Sequence, residues 1–272
     1  MINTIYNEDH LITLSKMVDN FIDLTITSPP YDDLRDYDGY SFDINKLIPE
    51  LYRVTKKGGV CVWVTNDKTI KGSESLTSFK QAIAFKEYGW RVHDTMIFKK
   101  LNPTPNAGNR YQQAFEYMFV FSKGKPKTSN IKLRPRRNKC NDKRIFRRKK
   151  FSRNSKGIFN TNNYNVKEFV PLDNIWEYLV GGGNSSKDKI AFKHPAIFPE
   201  QLALDHITSW TNEGDLVYDC FGGSGTTAKM CILSNRNYII SELSEYYCQI
   251  AKERINNNIK DGFVIQTQGV IK

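Results

Sequence analysis

Asp219-Cys220-Phe221-Gly222-Gly223-Ser224-Gly225-Thr226-Thr227 follows a short β-branched and aromatic run, 216–219, and opens an apolar-periodic stretch, 225–233. A glycine-rich turn takes its meaning from that strand–turn–helix setting. Glycines lacking a Cβ let backbone approach a ligand, and the free N–H groups at a helix start favour a polar or anionic group. Seventeen residues beyond Gly225, at the end of the next predicted strand (238–241), stands Glu242, where a carboxylate can accept from two ribose hydroxyls. Turn and acid together predict a nucleoside site on an α/β sheet. A purely structural glycine turn with a strand-end surface Glu is the alternative.

Working outward, further runs read as strands at Ile22–Thr27, 59–65, 95–100 and 115–121. Helices are predicted over 43–55, 76–88, 199–210 and 245–255, with Pro199 in a first helical turn and Ser244 as a cap. The 95–100 and 115–121 runs flank a loop rich in Pro, Asn and Gly, which predicts an antiparallel pair within an otherwise parallel sheet. The hydrophobic content of 39% over 272 residues suffices for one large α/β core with an insertion.

The net charge of +11 is local: residues 123–157 hold sixteen Lys or Arg against one acid, Asp142. A near-neutral body with one cationic block suits phosphate-backbone binding, because neutralised phosphates release counterions. Interleaved apolar residues (Ile145, Phe146, Phe151, Ile158, Phe159, Tyr164, Val166) and several asparagines argue for a small folded unit over a solvated charge run. No stretch approaches the ~18 apolar residues of a membrane helix, and residues 1–10 lack a signal-peptide pattern, so a soluble cytoplasmic protein is expected. Five scattered cysteines without a CxxC pair predict reduced thiols, and the histidines have no ligand spacing, so no metal is expected.

Ile26-Thr27-Ser28-Pro29-Pro30-Tyr31 ends a predicted strand, and its consecutive prolines stop the ladder and fix φ near about −65°. The run resembles the catalytic motif of DNA amino-methyltransferases, and 219–227 resembles their cofactor motif. Catalytic motif first, basic region in the middle and cofactor motif last is the order of the permuted β-class. Lys193-His194-Pro195-Ala196-Ile197-Phe198-Pro199-Glu200-Gln201-Leu202 is similar to the segment ahead of the cofactor turn in that family, and Asn7-Glu8-Asp9-His10 to its adenine-contacting segment. One departure is Cys220, where the family commonly has proline.

The resemblance implies a Rossmann-like methyltransferase with a mixed, largely parallel sheet, in which 1–122 and 171–272 form the catalytic domain and 123–170 a basic target-recognition region. It implies S-adenosylmethionine as cofactor, bound by Asp9, His10, Thr27, Lys193, Pro195 and Phe198 together with Asp219, Phe221, Gly223, Ser224, Gly225, Thr226, Thr227 and Glu242. Asp219 is expected to serve the methionyl end. Catalysis falls to Ser28, Pro29, Pro30 and Tyr31, with acceptors around the amine and a ring to stack on a flipped base. Double-stranded DNA is the partner, held by Arg134, Arg136, Arg137, Arg147, Arg148, Lys149 and Lys150, with Arg35 and Tyr37 placed to clamp the flipped nucleotide. A cognate restriction endonuclease is a further partner that the resemblance allows, and both monomer and homodimer stay open. Ser at position 28 favours the N4 amine of cytosine. The N6 amine of adenine, an RNA substrate and a non-enzymatic DNA-binding module are the alternatives. Methylation at a ring carbon would need a Pro-Cys nucleophile, and the sequence contains no such dipeptide.

Overall fold

The computed structural model describes residues 1–30, 42–105, 108–135, 147–153, 159–165 and 168–260, with backbone alone for 147–153, 159–165 and 258–260. Two compact units form: Met1–Asn130 with Asn174–Lys272, and Ile131–Asp173. In chain order the elements are β1 (Thr4–Asn7), α1 (His10–Ser15), β2 (Ile22–Thr27), α2 (Ile44–Val54), β3 (Thr55–Thr65), β4 (Thr69–Ile70), β5 (Ser73–Glu74), α3 (Thr77–Tyr88), β6 (Arg91–Lys100) and β7 (Phe115–Ser122). They continue with β8 (Leu133–Pro135), β9 (Arg147–Arg153), β10 (Phe159–Asn165), β11 (Phe169–Pro171), β12 (Ile175–Tyr178), a 3-10 turn at Lys189–Lys193, α4 (Glu200–Trp210), β13 (Leu216–Asp219), α5 (Thr226–Leu233), β14 (Asn237–Glu242) and α6 (Glu245–Lys260).

The larger unit is built on one eight-stranded sheet in the order β1-β14-β13-β2-β3-β7-β6-β12. β7 runs antiparallel to both neighbours and the remaining pairs are parallel, so the expected mixed, largely parallel sheet is present. All six residues of β2 are buried, as a parallel strand covered on both faces requires. Alternation divides the core in two. Leu24, Ile26, Val60, Val62 and Val64 pack with Leu202, Ile207, Ala228 and Ala251, whereas Ile22, Cys61, Trp63, Phe121 and Tyr218 pack with Leu14, Leu47, Leu51 and Phe85. α4, α5 and α6 therefore cover one face, and α1, α2 and α3 the other.

Among the described residues, two strands of the eight-stranded sheet, β1 and β12, and the helix α1 escaped the sequence reading, as did the strands of the two-stranded pairs, β4, β5, β8, β9, β10 and β11. β1 and β12 are four-residue edge strands, too short for a period, and α1 is six residues long, begun by an Asp9 carboxylate that accepts from the Leu11 N–H at 2.7 Å. Pro199 is the residue before α4, not within its first turn. Ser244 does cap α6, with the Tyr247 N–H 3.5 Å from its hydroxyl.

In the smaller unit β8 pairs with β11, and β9 pairs antiparallel with β10 from Arg147↔Asn165 to Arg153↔Phe159. This unit spans Ile131–Asp173, beside the 123–170 region that the resemblance implies. Among the described residues no helix is long and apolar enough to cross a membrane.

Candidate active site

Parallel strands end their carboxyl termini on one edge of a sheet, and the loops leaving that edge are where such folds bind ligands. β2 lies beside β13, with Val217 opposite Leu24 and Tyr218 opposite Thr25, so Thr27 and Asp219 meet although 192 residues separate them. The Thr27 hydroxyl donates to Asp219 Oδ1 at 2.6 Å, the Thr227 hydroxyl to Oδ2 at 2.6 Å, and the Phe221 N–H to Oδ1 at 3.1 Å. Burial pushes the Asp219 carboxyl pKa up, and these three donors pull the other way. Both oxygens are thus engaged by the protein. The carboxylate ties the end of β2 to the glycine turn and also lines the cavity described below. Cys220 is buried, its thiol 3.6 Å from the Thr27 hydroxyl.

The glycines serve packing. A Cβ on Gly222 would stand 2.0 Å from Ile240 Cγ2, and one on Gly225 2.7 Å from Ala251 Cβ, with φ at +77° in the left-handed region. Gly225→Ala is therefore expected to cost about 2–3 kcal/mol of stability through strain and overpacking against α6. An unchanged denaturant midpoint would show that α6 can shift freely. The Gly223 N–H donates to Glu242 Oε2 at 2.7 Å and the Ser244 N–H to Oε1 at 2.8 Å. Glu242 sits mostly buried, which raises its pKa, while the Ser244 and Gly223 N–H groups oppose the rise. A carboxylate offers about four acceptor sites, so sites remain for ligand hydroxyls.

Beneath the turn lies a cluster that no local pattern signalled. The fully buried Arg254 donates to the Ser224 carbonyl at 2.6 Å and hydroxyl at 2.9 Å, to Asp188 at 3.1 Å and to Glu200 at 2.8 Å. Lys229 joins the same two carboxylates at 2.9 and 2.8 Å. Two cations against two anions keep these buried charges compensated and fix the turn from behind.

A cavity of about 730 Å³ runs along the carboxyl edge of the sheet. Its walls include the predicted Asp9, His10, Ser28, Pro30, Pro195 and Phe198, and also Asp219, Phe221, Gly223, Ser224, Thr226 and Glu242. Thr27, Pro29 and Thr227 are buried and Gly225 packs on Ala251, while Lys193 is exposed; none of the five lines the cavity. His10 is buried with its ring 5.0 Å from that of Phe221, and among the described residues its Nε2 has no partner. Burial lowers its pKa against the pull of Asp9, favouring the neutral ring. Tyr31 and Arg35, with Tyr37, lie outside the described residues.

Sequence reasoning missed the far half of this cavity. Asn66 follows β3, Lys100 ends β6, Glu116 is the second residue of β7, and Gln113 precedes that strand; all line the wall. Lys100 pairs with Glu116 at 2.6 Å. The signal that would have found them is topological, the shared edge, because no motif surrounds them.

Of the cationic candidates, Arg134 is paired with Asp173 at 3.0 Å inside the smaller unit. Arg136 and Arg137 lie outside the described residues, and Arg147, Arg148, Lys149 and Lys150 lie on β9, whose backbone alone is described. Among the described residues no group of His, Cys, Asp and Glu could hold a metal ion.

A family model described as DNA methylase matches residues 22–253. The orphan methyltransferase M.BamHII of Bacillus amyloliquefaciens is 56% identical over 239 residues, spanning 88% of this chain and 90% of that protein. The type II methyltransferase M.BamHI of the same organism is 28% identical, over 94% of this chain and 58% of its own length. Among solved structures, the PvuII DNA methyltransferase (cytosine-N4-specific) superposes with a TM-score of 0.68 at 20% identity, covering 95% of this chain and 90% of that one. An M1.HpyAVI–SAM complex superposes with a TM-score of 0.59 at 25% identity, covering 92% and 98%.

Proposed function

Since this chain belongs to the DNA methylase family of the N6/N4 amino type, we propose that it transfers a methyl group from S-adenosylmethionine to the exocyclic N4 amine of cytosine in duplex DNA. The observation that carries the reading is the position of Ser28-Pro29-Pro30. It leaves β2, the strand between the half of the sheet that holds Glu242, Asp9 and the glycine turn and the half that holds Asn66, Lys100 and Glu116. One cavity thus offers two seats with Ser28 between them.

The first seat fits a nucleoside-bearing cofactor. It presents the Glu242 carboxylate with acceptor sites left over, the unpartnered Nε2 of buried His10, and apolar surface from Phe198 and Phe221. When bound, S-adenosylmethionine supplies a methyl carried on a sulfonium. The chain's residues supply the rest. An exocyclic amine is a poor nucleophile because its lone pair is delocalised into the ring. Acceptors at the hydroxyl and carbonyl of Ser28, which lines the cavity, would hold its hydrogens, favour a pyramidal nitrogen and receive the proton. The prolines that follow hold the Ser28 backbone rigid, so little reorganisation is needed. Among the described cysteines, covalent attack by a thiolate finds no support: burial pushes Cys61, Cys220 and Cys231 up and Cys248 to about 11.

The test is transfer of labelled methyl from S-adenosylmethionine by the purified chain, offered duplex DNA and RNA together. Label confined to DNA supports the reading, and label in RNA alone overturns it. For the basic region, replacing Arg136, Arg137, Arg147 and Arg148 by Ala should weaken DNA binding and flatten its salt dependence by about 0.9 log units for each phosphate no longer neutralised. Arg134 is left intact because its pairing with Asp173 also serves its own unit. An unchanged salt slope would place the region off the DNA.

A further inference from the structure

Asn66 is 7% exposed, lines the cavity, and is shaped to do one thing. It leaves β3, the strand beside the catalytic β2, whose Thr27 is in register with Trp63. Asn66 therefore stands two residues beyond the level of Ser28, roughly 6–7 Å further along the strand direction at the usual rise per residue. Its Oδ1 accepts from the Asp67 N–H at 2.9 Å and from the Gln113 side-chain nitrogen at 3.3 Å. A backbone N–H can only donate, so the amide cannot turn over without losing the Asp67 bond. Among the described residues Nδ2 has no partner, so a buried side chain presents a fixed donor to the half of the cavity away from Glu242.

Resting on the amino-methyltransferase reading, we infer that Asn66 recognises the target base by donating from Nδ2 to the ring nitrogen adjacent to the reacting amine. That nitrogen is N3 in cytosine and N1 in adenine, an unprotonated acceptor in both. In thymine and guanine the ring nitrogen on the same edge carries a hydrogen. A donor locked by Asp67 and Gln113 then faces another donor, and the wrong base is rejected by an unsatisfied buried group. Asn66 thus selects bases that bear an amine beside a free ring nitrogen, and it turns the amine toward Ser28. Gln113 is a positioning residue that acts through Asn66.

The experiment is single-turnover methyl transfer to duplexes whose target base is normal or carries C–H in place of the ring nitrogen: 3-deazacytosine in one arm, 1-deazaadenine in the other. Asn66→Ala should slow transfer to the normal base about 10- to 100-fold, the cost of leaving a buried group unsatisfied. S-adenosylmethionine affinity should stay near wild type. On the deaza base of the arm that is active, wild type and Asn66→Ala should transfer at the same rate, because the hydrogen bond is already gone. Asn66→Asp keeps the oxygen that Asp67 and Gln113 need and removes the donor, so it should match Asn66→Ala on both substrates. Equal slowing of Asn66→Ala on normal and deaza bases would make Asn66 a structural residue and overturn the assignment. Wild-type rates on the normal base would overturn it too, while leaving the amino-methyltransferase reading standing. A wild-type chain that methylates no DNA overturns both.

Discussion

Replacing Asp219 by alanine is expected to destabilise the fold by about 2–4 kcal/mol and to lower S-adenosylmethionine affinity about 100-fold. The stability loss arises because the Thr27 and Thr227 hydroxyls and the Phe221 N–H all donate to this one buried carboxylate, and alanine leaves two buried hydroxyls and a half-buried N–H without it. The affinity loss is indirect. Phe221 and Gly223 share one turn, and Glu242 accepts from the Gly223 N–H, so freeing the turn from β13 misplaces the nucleoside acceptors. Asp219→Asn separates the two effects. Its remaining oxygen and amide can satisfy the two hydroxyls, which rotate to donate or accept, so stability should largely return. Denaturant unfolding and calorimetric titration with the cofactor check both. Wild-type stability and affinity in Asp219→Ala would show that the strand ends are held by something else.

Ser28→Ala should lower single-turnover methyl transfer about 100-fold while DNA and cofactor affinities stay near wild type. The hydroxyl is small and the backbone of the Pro29-Pro30 turn is untouched, so the cavity keeps its shape. The lost acceptor matters most when the amine nitrogen pyramidalises and sheds its proton, which places the loss on turnover in preference to binding. A loss of DNA affinity with unchanged turnover would make Ser28 a binding residue. Ser28→Asp provides the comparison for base choice: a pocket sized for a pyrimidine should respond with reduced cytosine methylation and no adenine product.

How much of this was legible in the sequence depends on whether the determinant is local. β2 and β13 were read to the residue because each is a dense β-branched or aromatic run with clear ends, and burial on both faces leaves no period to misread. The five longer helices were found with ends displaced by a few residues, since apolar periodicity and a cap such as Ser244 are local signals. β1 and β12 were lost because four residues hold no period, and both gain their order from a neighbour far away in the chain: β14 for β1 and β6 for β12.

The site divides in the same way. Motif residues 28–30 and 219–226 were visible, as was Glu242, because turn chemistry and spacing advertise them. The tie between Asp219 and Thr27 was not, because Thr27 arrives from a strand 192 residues away. Asp188, Glu200, Lys229 and Arg254 share no spacing rule and meet only once α4, α5 and α6 pack. Asn66 and Gln113 are ordinary loop residues until the sheet places both on the catalytic edge.

The most direct test of the account is the identity of the product. Duplex DNA would be incubated with the purified chain and S-adenosylmethionine, digested to nucleosides and analysed by mass spectrometry. The account predicts N4-methylcytosine, absent when the Ser28→Ala variant is given the same short incubation. N6-methyladenine would keep the amine chemistry and contradict the choice of base. Methylcytosine modified at ring carbon 5, or no methylated nucleoside at all, would contradict the account at its centre.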